Sequence, residues 1–218
     1  MSWSDMQPLL WQASLETFQM VGWSALFTVL IGLPIGLLLV LTDRGALLAN
    51  AAANKALGTV VNVGRSLPFI ILLIAITPFT RGIVGTTIGV DAAIVPLAVG
   101  AVPFFARLVE TAVREVDRGL IEASQAMGAS HLTTVRKVLL PESLPALVAG
   151  LTTTVIALVG YSAMAGAIGG GGLGDLAIRY GYQRFENGLM IATVVLLIVL
   201  VQIVQLLGDF TAKRLAHR

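Results

Sequence analysis

The 218 residues are 56% hydrophobic and only 12% charged, with a mean hydropathy of +0.89, a mix that excludes an ordinary soluble globular domain. Fourteen Lys and Arg against 12 acids give a net charge of +2 and a pI near 9.3, a balance that offers no case for a nucleic-acid partner. With no cysteine, disulfides and Cys-ligated metals are excluded as well.

Residues 1–16 contain no Lys or Arg, and the apolar run that follows is about 25 residues long, so the first hydrophobic segment reads as a retained span and not as a signal peptide. A helix needs about 20 apolar residues to cross the hydrocarbon core. Five stretches qualify, at 17–41, 57–79, 89–109, 144–168 and 187–208. The first contains Gly32, Pro34 and Gly36; the small-xxx-small pair is either the ordinary glycine enrichment of membrane helices or a close contact with another copy. The second carries Pro68 and Pro78, and only 15 charge-free residues separate Arg65 from Arg81, so it must reach back through Asn62 or hold Arg65 near a wet boundary. Pro96 and Pro103 punctuate the third, and kinks are expected in these spans. The predicted fold is a single all-α domain over 1–218, a polytopic bundle of five transmembrane helices.

An odd number of spans puts the termini on opposite sides. With the N-terminus outside, Arg44, Lys55, Arg107, Arg114, Arg118, Arg136, Lys137, Lys213, Arg214 and Arg218 gather inside, against Arg81, Arg179 and Arg184 outside, which predicts N-out and C-in. Trp3, Trp11 and Trp23 are then expected at the outer interface, joined by Tyr180, Tyr182 and Phe185.

Several chemistries are missing. Asp91, Glu110 and Asp209 fall at span ends and both histidines, His131 and His217, in cytoplasmic segments, which disfavours coupling to a proton or sodium gradient. Lys55, Lys137 and Lys213 are followed by Ala, Val and Arg, so no Walker A loop exists to hold ATP and magnesium. Gly169, Gly171 and Gly174 satisfy a dinucleotide fingerprint in spacing only, since a membrane span precedes them; a flexible outer turn with close backbone approach is the better reading. There is no catalytic constellation, cofactor site or metal site to nominate.

The longest hydrophilic segment, 110–143, reads as two short helices around a glycine. Asp117 is placed to cap the first, from Arg118 to Met127; Gly128 suits the left-handed position that ends it; Ser130 caps a second helix from His131 to about Leu140. Leu132, Val135, Val138 and Leu139 share one face of that second helix, while Pro141 and Pro145 discourage its continuation into the fourth span.

Glu122-Ala123-Ser124, three residues, Gly128, nine residues, then Val138-Leu139-Leu140-Pro141 resembles the EAA loop of bacterial ABC importer permeases, with Ser for Ala at the third position and Val for Ile at 138. The resemblance extends through Gly64-Arg65-Ser66-Leu67-Pro68-Phe69, Thr80-Arg81-Gly82-Ile83-Val84-Gly85-Thr86, Val159-Gly160-Tyr161-Ser162-Ala163-Met164 and Gly171-Gly172-Leu173-Gly174, which are similar to the permease of the methionine importers. It implies an inner-membrane subunit that pairs with a second copy of itself, docks on two cytoplasmic ATPases that bind ATP and Mg, and receives D- or L-methionine from a lipid-anchored binding protein. It also implies that Glu122, Ala123, Ser124, Met127, Gly128 and Ala129 form the coupling surface for the ATPase.

A path on the two-fold axis of a homodimer would be lined by Tyr161, Ser162 and Met164, because the fourth span follows the coupling loop directly and moves with it. Another amino acid or a compatible solute keeps the same mechanism, and a scaffold that merely binds an ATPase is the remaining alternative.

Overall fold

The computed structural model describes residues 3–216, which form helices and turns with no strand among them. His217 and Arg218 lie outside the described residues. Four helices are long and apolar enough to span a membrane, and a fifth crossing results if one sharply bent pair counts as a span.

Helix α1 runs Trp3–Leu41, 39 residues, about 58 Å at 1.5 Å per residue and far longer than a bilayer core of about 30 Å. Its first 14 residues escape an apolar window because polar side chains interrupt them. Even so, Leu10 and Ala13 are buried against Leu173, Leu176 and Leu189. One consequence overturns the expected belt. Trp3 and Trp23 stand on the same continuous helix about 30 Å apart, the full thickness of the hydrocarbon, so the three tryptophans do not share one interface.

Gly32 and Gly36 face α5 (Val90–Arg114) of their own chain. A Cβ on Gly36 would come 2.5 Å from the Ala106 carbonyl oxygen and from Val109 Cβ. Both glycines therefore serve close packing within the chain. Gly36→Val should destabilise the protein by about 1–3 kcal/mol or more through overpacking. Gly22→Val, where nothing lies within 4 Å, should change the Tm of the purified protein little.

The expected second span at 57–79 is not one helix. Helix α2 (Ala51–Ser66) and α3 (Phe69–Ala75) meet at 103°, and α4 (Thr77–Val84) follows. Leu67 takes φ −81°, ψ 125°, the extended conformation that a following proline enforces, and Pro68 cannot donate the amide that would continue α2. The bend is thus built into Leu67-Pro68, whereas α5 runs unbroken through Pro96 and Pro103.

The hairpin comes next, α6 (Arg118–Ala126) and α7 (His131–Thr134), and its second arm does not stop at the prolines. A π turn, Val135–Leu139, joins α7 to α8 (Leu140–Gly166), making one helix over His131–Gly166. Leu140's amide bonds the carbonyl of Val135, five residues back. This shift of register falls beside Pro141, the residue with no N–H to give.

After a glycine turn, α9 (Gly172–Leu176) and a second π turn lead to α10 (Asn187–Ala216), eight residues longer than expected. Met20, Leu97 and Leu158, all fully buried, fasten α1, α5 and α8 into the core. Half of the most apolar window of α5 is buried but only 17% of that of α10. Helix α5 is therefore the central post, and α10 offers most of its apolar surface to lipid or to another chain.

Candidate functional site

The hairpin from Asp117 to Leu140 is held by its own caps. Asp117 accepts from the Gly119 amide at 2.6 Å, and Ser130 accepts from the Thr133 amide at 3.2 Å. At the end of α6 the Ala129 amide reaches the Ser124 carbonyl (3.1 Å) and the Gly128 amide the Gln125 carbonyl (2.9 Å). Gly128 has φ +75°. This is the paired bonding of a Schellman cap, which needs a left-handed residue at that position.

Glu122, Ala123, Met127 and Gly128 are exposed at the tip, Met127 to 81%, and Ala129 is half-buried. Ser124 is different. It lies buried beneath the hairpin, its hydroxyl 3.0 Å from that of Thr134, itself fully buried. The serine that departs from the EAA pattern thus ties the two arms together and does not face outward. The second arm turns inward largely as its apolar spacing implies, with Leu139 buried and Val135 packed on the core, but Leu132 is 64% exposed and Thr134 takes an inner position.

Above the hairpin a charged strut connects three elements. Glu110, its side chain 7% exposed, accepts from Arg114 at 2.9 and 3.1 Å and from Arg107 at 2.5 Å. Arg114 also donates to Asp43 (2.6 Å), just past α1, and Arg107 to Asn62 of α2 (2.5 Å). A carboxylate so clamped is a fixed structural charge. The Arg114 guanidinium, helped by the Arg44 amide, holds the Asp43 carboxyl below its ordinary value of 3.8. A depressed carboxylate contributes stability above its unfolded pKa and loses it as pH falls through the folded value. Asp43→Asn should therefore lower the Tm at pH 6, and the difference from the parent should vanish as the pH is taken below 3.8. A cleft of about 560 Å³ opens beside this strut, with Arg44, Arg118, Glu122 and Gln125 on its walls.

At the opposite end of α8 the glycine turn is clamped, not loose. Glu16 accepts from the Gly172 amide (2.7 Å) and Thr17 from the Leu173 amide (2.9 Å), while a Cβ on Gly174 would sit 2.4 Å from Ala163 Cα. Positive φ at Gly169, Gly171 and Gly172 aims these amides at α1. The groups that hold a phosphate in a dinucleotide site are here occupied by two side chains of the same protein.

The three residues expected along a path part company. Met164 is 47% exposed. Tyr161 stacks face to face on Phe69, ring centroids 4.5 Å apart and planes within 9°. Ser162 is buried, its hydroxyl donating to the Val159 carbonyl at 2.8 Å, and lines no surface in this conformation.

Two placements were open for Arg65, inside a span that reaches back through Asn62 or near a wet boundary, and it falls in the last turn of α2, beside the bend. Its neighbour Gly64 lies so close to Pro103 that a Cβ would come within 2.9 Å of Pro103 Cγ, and Pro103 is near the midpoint of the 25-residue α5. Arg65 is exposed at that depth, in the last turn of α2, and lines a recess of about 250 Å³ with Phe69, Leu72, Phe104 and Tyr161. Placing an arginine mid-helix against lipid costs about 2.5–3.5 kcal/mol on insertion scales. The face that carries it belongs against water or protein. The bend at Pro68 was the available signal, because a helix broken opposite the middle of α5 ends its last turn beside a recess.

Comparison with known proteins agrees with this architecture. The family described as "Binding-protein-dependent transport system inner membrane component" matches residues 32–217. A probable D-methionine transport system permease protein of Vibrio cholerae is 53% identical over 96% of this chain and 93% of its own length. The methionine import system permease protein of Bacillus subtilis is 50% identical over 96% and 94%. A chain of the MetNI methionine ABC transporter in inward-facing conformations superposes with a TM-score of 0.96 at 51% identity, covering 99% of both chains. An amino acid ABC transporter solved with histidines shares the fold, with a TM-score of 0.80 at 20% identity over 97% and 96%.

Proposed function

Because the chain belongs to the binding-protein-dependent transport system inner membrane components, we propose that it carries methionine across the inner membrane as one half of a homodimeric path. It is the multi-pass, non-catalytic permease subunit of an ABC importer. The proposal adds its cargo, its partners and its orientation. Two cytoplasmic ATPases bind and hydrolyse ATP with Mg, a binding lipoprotein delivers D- or L-methionine at the outer face, and the chain sits N-out and C-in as a single permease domain. Glu122, Ala123, Met127 and Gly128 meet the ATPase, Ser124 and Ala129 keep the hairpin in shape, and Tyr161 and Met164 border the path, with Ser162 behind them.

The observation that carries the mechanism is the hairpin's continuity with α8. A force on α7 acts on a rigid helix reaching to Gly166, so closure of the ATPases tilts the path wall without an intervening flexible joint. The cargo rests on relatives about half identical over nearly the whole chain, each named for methionine transport.

Reconstitution of this chain with its ATPase and binding protein in vesicles tests both. ATP-dependent uptake of labelled methionine, competed by unlabelled methionine and not by other amino acids, is the expected result. Uptake that methionine does not compete removes the cargo, and no uptake by the complete set removes the transport reading.

A further inference from the structure

We propose that Arg65, with the stacked rings of Phe69 and Tyr161, forms a halfway station for the cargo, the guanidinium taking the α-carboxylate and the rings taking the side chain. This rests on the amino-acid cargo proposed above and names the groups that would meet it inside the membrane.

Four observations lead there. Arg65 stands level with the middle of α5, exposed and, among the described residues, without an ion-pair partner, while Arg107 and Arg114 are both paired. A guanidinium presents a planar fork matched to a carboxylate, and in a site of low dielectric such a pair is strong. An arginine is not a proton shuttle, so its place opposite the middle of α5 points to an anionic group that passes and not to a coupling ion.

Second, the recess beside it holds about 250 Å³, roughly eight waters' worth of space, which suits one amino acid and not a peptide. Third, its far wall is aromatic, with Phe69 and Tyr161 stacked at 4.5 Å and Phe104 nearby. Thioether sulfur and methylene groups pack favourably on such rings. Fourth, Gly64 also borders the recess, and the regular helical partner of its carbonyl would be the amide of residue 68, which is proline. That oxygen lies at the negative end of α2 and is suited to an ammonium group. Carboxylate, ammonium and apolar side chain each find a complementary group within one bend of the chain.

The chain has no cysteine, so Leu67→Cys, on the wall of the same recess, gives the permease a single thiol in the assembled, reconstituted complex. Methionine is expected to slow modification of that thiol by a maleimide. Methioninol, which lacks the carboxylate, is expected not to. In Arg65→Gln/Leu67→Cys half-protection should require about 10- to 100-fold more methionine, the range for losing a charge-assisted hydrogen-bonded pair. Arg65→Lys, which keeps the charge and loses the fork, should fall between.

No protection by methionine, or equal protection by methioninol, overturns the station, and the second arm decides even where Arg65→Gln fails to assemble. Protection unchanged in an assembled Arg65→Gln complex also overturns it. Uptake measured in the same vesicles keeps the two readings apart. Methionine uptake without protection leaves the importer and removes the station. If another amino acid is transported and protects through Arg65, the station stands and methionine falls.

Discussion

Gly128→Arg is expected to abolish methionine uptake while the complex still inserts and the hairpin still folds. The position has φ +75° and nothing within 4 Å of where a Cβ would stand, so a side chain meets no wall inside the subunit. What it meets is the partner, because Gly128 sits at the exposed tip beside Met127. Gly128→Ala separates the two costs of the change. It carries the left-handed backbone penalty of about 1–2 kcal/mol and almost no bulk, so it should lower the Tm slightly and keep most of the uptake. The arginine variant adds a long cation at the docking surface and should lose both uptake and coelution with the ATPase. Uptake by Gly128→Arg near that of the parent would count against docking at this tip.

The hairpin was the most legible part of the sequence because its signals are local. Asp117, Gly128 and Ser130 each act within three residues, and the structure uses all three as the sequence implies. Ser124 was misjudged from the motif alone. Its partner Thr134 is ten residues away, across the hairpin, and a motif records residue type and spacing without saying which way a side chain turns. The prolines were a mixed guide. Pro141 and Pro145 were expected to stop a helix that a π turn carries through, while Pro68 sits where the chain bends by 103°. The difference lies in the surroundings. Pro141 is preceded by a register shift that spares its missing donor, whereas Leu67 has already left helical geometry. Apolar windows located four spans to within a few residues at one end or both, but they cannot see amphipathic extensions such as 3–16, nor that Arg65 lies opposite the middle of α5, which follows only once Gly64 is set against Pro103.

Removing the carboxylate at the centre of the strut should have the largest effect away from the hairpin. Glu110 is buried and bonded on both oxygens, so Glu110→Ala leaves Arg107 and Arg114 facing each other across an empty site. Deleting one partner of a buried pair typically costs 3–5 kcal/mol. Here the two guanidiniums are 29% and 45% exposed, so water relieves part of the cost and about 2–4 kcal/mol is expected. The functional loss should exceed what stability alone explains. The strut binds the end of α1, the last third of α2 and the inner third of α5 directly above the hairpin. Without it, movement of the hairpin no longer carries those elements together. ATP hydrolysis should persist while methionine uptake falls, measured in the same vesicles below the lowered Tm. Glu110→Met with Arg107→Met tests the distinction. Apolar replacement of a buried pair often restores stability, and Arg114 keeps its bond to Asp43, so the double variant should regain part of the Tm, yet it leaves Asn62 without its arginine and should remain poorly coupled. Recovery of uptake in step with the Tm would show that the strut only holds the fold.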